Sequence, residues 1–137
     1  MHLLIATALI ATPVAQQDGL CGEVAKLVAG AKEAQPFETM FAAKDQPRLL
    51  PAGGCFRAAE RHWLCHQNLL PRDIAHDTLG QRIAACLPGE ITQSGASWRG
   101  IRTTMVKGNG LVFELEETGS ERAHVGRIMQ IDIRAER

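Results

Sequence analysis

Four cysteines, Cys21, Cys55, Cys65 and Cys86, constrain this chain more than any other feature. An even number of cysteines behind an apolar leader reads as a disulfide framework. None of them forms a C-x-x-C pair, so a thioredoxin-type redox motif and a zinc knuckle both lack their basic unit. The leader is Met1–Ala15, MHLLIATALIATPVA, which carries no permanently charged side chain. Its apolar run is too short for a bilayer, which takes about 20 residues, and suits a secretory signal peptide cleaved after Ala15. A buried N-terminal helix or strand is the competing reading. Residues 16–137 are then expected to fold as one small α+β domain, periplasmic or secreted.

Composition explains why such a domain would need staples. The 137 residues contain no Tyr, four Phe and two Trp. Much of the remaining apolar content is Ala, which buries little surface per residue, so the core is modest and gains from cross-links. Lys and Arg number 15 and Asp and Glu number 15, so the chain has no net cationic field. That balance argues against a nucleic-acid binder or a polybasic membrane-surface protein.

Periodicity places the elements. Leu20, Val24, Leu27, Val28 and Ala31 recur at helical spacing behind a cap at Asp18 or Gly19, and Pro36 ends the run. Phe37, Met40 and Phe41 suit one further turn, and the Pro- and Gly-rich stretch 44–54 reads as a loop. Residues 55–67 form a hairpin pairing Ala58 with His62, Arg57 with Trp63, Phe56 with Leu64, and Cys55 with Cys65. A helix is expected over Leu69–Leu87, with Pro71 in its first turn and Pro88-Gly89 as its stop. Residues 89–97 read as a polar loop. Three alternating strands follow, built on Ile101–Val106, Leu111–Glu116 and Met129–Arg134, the first two joined by Gly108-Asn109-Gly110. The expected fold is α+β, helix-β-β-helix-β-β-β, with an antiparallel sheet and two main helices on one face.

This arrangement selects one of three disulfide connectivities. The hairpin register sets Cys55 opposite Cys65. Antiparallel helices side by side would bring Cys21, opening the first, to Cys86, closing the second. The expected pairs are therefore Cys21–Cys86 and Cys55–Cys65.

Chemistry is harder to find. His62-Trp63-Leu64-Cys65-His66 resembles the C-x-x-C-H haem-attachment motif of c-type cytochromes, with His in place of the first cysteine. The missing thioether cysteine and the expected disulfide at Cys65 leave a plain strand as the reading. On a strand, His62 and His66 stand about 13 Å apart, too far to share one zinc. Asp73, His76 and Asp77 lie a turn apart on the second helix. With His124 they are the material for an alternative, a small hydrolase or metal-dependent enzyme. Acids near a helix start also serve the helix dipole alone. Ser94, Ser97 and Ser120 fall in loops without a local base. Glu114, Glu116 and Glu117 read as the outward face and end of a strand.

The function favoured by these features is an exported, non-catalytic protein that binds another protein or an envelope component. No cofactor is implied, no nucleic acid is expected as partner, and the mature chain holds no transmembrane segment. Candidate binding residues are Arg57 and Trp63, a cross-strand cation–aromatic pair, and Trp98. At least one tryptophan is expected in the core.

Overall fold

The first helix forms where the apolar stripe predicts it. In the computed structural model, which describes residues 19–136, α1 spans Leu20–Ala31 behind an N-cap at Gly19. The leader lies outside the described residues. Leu20, Val24 and Leu27 of α1 are buried. A short helix, α2 (Glu38–Ala42), follows the break at Pro36 and seats Phe37 and Met40 in the core. Among the described residues, no helix is long and apolar enough to cross a membrane.

The hairpin consists of β1 (Gly54–Ala59) and β2 (His62–Gln67). Cys55 faces Cys65, Phe56 faces Leu64 and Arg57 faces Trp63, as the alternation requires. The last expected pair is corrected: His62 faces Ala59, not Ala58. The loop holds two residues, Glu60 and Arg61, with Arg61 at φ 69°, and a bulge between Arg57 and Ala59 absorbs the extra residue.

The second long helix is shorter than its sequence suggests. α3 spans His76–Cys86, and residues 69–75 precede it as irregular chain. Tertiary hydrogen bonds explain the difference. Leu69 and Leu70 donate their backbone N–H groups to the carbonyls of Val125 and Arg127, which draws this stretch alongside the sheet. Gly80 lets α3 lie close on the sheet, since a Cβ there would come within 2.6 Å of the Thr104 methyl group.

Four strands complete the fold: β3 (Glu90–Trp98), β4 (Ile101–Gly108), β5 (Leu111–Gly119) and β6 (Arg127–Ala135). The sheet therefore has six strands, one more than the sequence reading, because residues 90–98 form β3 instead of a loop. The order is β1-β2-β6-β5-β4-β3, with every neighbouring pair antiparallel. β3 is an edge strand with two register shifts against β4. An edge strand packs little, so it needs few apolar residues. The β4–β5 connection is the expected tight turn, with Asn109 at φ 50° and Gly110 at φ 77°.

α1, α3 and the inner sheet face share one hydrophobic cluster. It includes Trp63, Val106, Phe113, Leu115, Ile131 and Ile133, all almost without exposure. Disulfides close it at two places. Cys21–Cys86 ties the start of α1 to the end of α3, with Cα atoms 5.1 Å apart. Cys55–Cys65 crosses the hairpin with Cα atoms 4.1 Å apart, the short spacing of a non-hydrogen-bonded pair. Both pairings agree with the expectation from sequence.

Candidate functional site on the open sheet face

The sequence candidates do not come together. Trp63 sits on the inner face of β2 at 0% exposure, with its ring 6.4 Å from that of Phe37, so it offers nothing to a partner. Arg57 faces the same side, its Nε and the Trp63 indole Nε1 both buried without a hydrogen-bond partner among the described residues. The binding pair expected on the hairpin is thus corrected to a core tryptophan beside a half-buried arginine. Asp73 is exposed in the chain before α3, and His124 is exposed after β5. Asp77 accepts a hydrogen bond from the Thr78 backbone at 2.8 Å. His76 is buried against Thr104, Nδ1 to Oγ1 2.8 Å. Among the described residues, no three His, Cys, Asp or Glu side chains converge as a metal site.

His76 belongs instead to a buried polar cluster that the sequence reading missed. Its centre is Glu117, 5% exposed, which faces the core rather than solvent. Arg102 of β4 donates from Nε at 3.1 Å and from Nη2 at 2.8 Å to Glu117 Oε2. Arg127 of β6 donates from Nη2 to Oε1 at 3.3 Å, and the His76 backbone N–H reaches the same oxygen at 3.2 Å. Arg127 also donates to the carbonyls of Pro71 and Ile74. The cluster therefore binds the irregular approach to α3 to three central strands. Burial alone would raise the Glu117 pKa. The Arg102 hydrogen bonds, the His76 N–H and Arg127 outweigh it and hold the carboxyl below its usual range.

Among the described residues, the outer face of the sheet carries no helix. Its middle holds a chain of charges: His62 Nδ1 lies 3.1 Å from Asp132, and Arg134 reaches Asp132 at 3.6 Å and Glu114 at 3.0 Å. Glu116 adjoins this chain through Glu114 and makes no ion pair among the described residues. Burial and the two acids Glu114 and Asp132 raise its pKa.

Trp98 stands at the end of this face, 66% exposed. The two-residue β3–β4 loop, Arg99 and Gly100 at φ 50° and 77°, holds it at the rim. The Arg99 guanidinium lies 4.7 Å over its ring. Between Trp98 and the acids of β5 runs a groove of about 370 Å³ floored by Ile101, Thr103 and Met105. Register explains the layout: Ile101 pairs with Trp98, Thr103 with Glu116 and Met105 with Glu114. One wall is therefore aromatic, the floor mostly apolar and the far wall acidic. The molecule is thus a doubly disulfide-linked α+β protein in which, among the described residues, helices cover one sheet face and leave the other bare. No family model matches the chain, and no curated protein or solved structure matches it either.

Proposed function

We propose that this is an exported, non-catalytic protein that binds a protein or envelope component through the open sheet face at the Trp98 groove. The observation that carries the reading is Trp98 itself. Trp98 stays two-thirds exposed beside a groove in a chain with few large side chains, and Trp is enriched in binding hot spots. The two disulfides support a working place outside the reducing cytoplasm. The expected mature form begins near Gln16. Intact mass of the secreted protein tests that step, and a species beginning at Met1 would remove the export argument.

A photo-crosslinking residue placed at position 98 tests the binding step. It should capture a partner in the envelope, while the same residue at Glu60, on the hairpin tip, should not. Equal capture from both positions, or none from position 98, would overturn the open-face reading.

A further inference from the structure

We infer that the groove between Trp98 and the Glu114–Glu116 pair binds a cationic stretch of polypeptide, extended and bearing Lys or Arg. The inference rests on the open face being the binding face, and adds the chemistry of what lies on it. Three features of the groove match one kind of side chain. Lys and Arg carry an apolar stem and a charged head, and they lay the stem on apolar surface while the head stays polar. Here the floor supplies Ile101 and Met105, and the far wall supplies carboxylates. The acids on β5 stand two strands from Trp98 on β3, about 10 Å at the usual strand spacing. A lysine stem can cross the floor of such a groove and bring its ammonium to Glu116.

Charge points the same way. Glu114 is already engaged by Arg134 at 3.0 Å, whereas Glu116 faces only Glu114 and Asp132 among the groups that act on it. A positive charge placed there would relieve that repulsion. The other wall offers the stem apolar indole surface, since Arg99 already lies 4.7 Å over one face of the Trp98 ring. An anionic lipid surface or a nucleic acid would meet the two carboxylates unfavourably. A second copy of the chain stacked face to face would oppose one acidic column to another.

Titration of the oxidised full chain with a fluorescein-labelled peptide of alternating lysine and threonine tests the inference. Binding should saturate and weaken steeply with salt. Trp98→Ala and Glu116→Gln should each weaken it at least tenfold, and Glu60→Gln should leave it unchanged. A peptide of alternating glutamate and threonine should not bind. Equal affinity for spermidine would make this a small-amine site and overturn the peptide assignment. Peptide affinity unaffected by Trp98→Ala and Glu116→Gln, or self-association in sedimentation that needs Trp98, would also overturn it. No lysine-peptide binding together with capture from position 98 would sink the cationic partner alone. Failure of that capture would instead sink the open-face reading.

Discussion

On β5, Glu116 points to the open face and Glu117 to the core, and their carboxyls are displaced in opposite directions. Burial works against both. Inside, two guanidiniums and a backbone N–H answer it, and the Glu117 pKa falls. Outside, the neighbours are acids, and the Glu116 pKa rises. The two tryptophans divide likewise, Trp63 fully buried and Trp98 largely exposed. The inner face pairs its buried carboxylate with guanidiniums and carries both disulfides, as a face that holds the fold must. The outer face keeps a largely exposed aromatic ring and, in Glu116, a carboxylate whose neighbours are acids, which suits a face completed by something else.

The widest gap between the faces should appear in the tryptophans. Trp63→Ala should lower the unfolding free energy by about 4 kcal/mol through lost burial and a cavity. Trp98→Ala should change it by less than about 0.5 kcal/mol. Urea melts of the two variants check this, and similar costs for both would erase the distinction. The covalent ties lie on the core side, so their loss should be of comparable size. Replacing Cys21 and Cys86 together by Ser should cost about 4 kcal/mol, and replacing Cys55 and Cys65 about 3 kcal/mol. Non-reducing peptide mapping of the parent protein should give only those two pairings.

Glu117→Gln should cost about 3 kcal/mol, because it leaves Arg102 and Arg127 without their shared anion. Its pH signature has a definite sign. The folded pKa is depressed, so the carboxylate stabilises the fold above the unfolded-state value of about 4.3. That stabilisation is lost as pH falls through the lower folded value. The parent should therefore lose stability on acidification over this window more steeply than Glu117→Gln. Parallel acid limbs in thermal melts would contradict the assignment. Glu116→Gln should show the smallest effect, with the opposite sign. Its raised folded pKa means that ionisation penalises the fold as pH rises, so the variant should be slightly more stable at neutral pH, an effect solvent screening keeps small. The gain should vanish under acid conditions, where the parent is protonated.

How far the sequence foretold this division depended on local pattern. Cys55 and Cys65 were legible as a pair because the hairpin is short and two-residue alternation sets them opposite each other. Leu111, Phe113 and Leu115 marked β5, and Asn109-Gly110 marked its turn. The choice between faces was not legible in the hairpin, because Trp63 on one side is matched by Phe56 and Leu64 on the other. Packing of Phe37, the residue just before α2, decides it, and no local pattern carries that contact. Phe56 ends 48% exposed. Glu117 continues the inward alternation of β5, yet its partners arrive only through the register with β4 and β6. β3 was hidden because an edge strand with bulges needs no apolar alternation. The start of α3 moved from Leu69 to His76 because backbone pairing with residues 125–127 outweighed the helical pattern.

The two tryptophans, one on each face, allow the most direct test of the division of labour. Nitrogen-15 spectra of the labelled protein show one indole signal for each, assigned with Trp98→Phe. During titration with the lysine–threonine peptide, the Trp98 indole signal should shift progressively to saturation while the Trp63 signal stays in place. Movement of the Trp63 signal with Trp98 unmoved would contradict the account and return the binding surface to the helix-covered side.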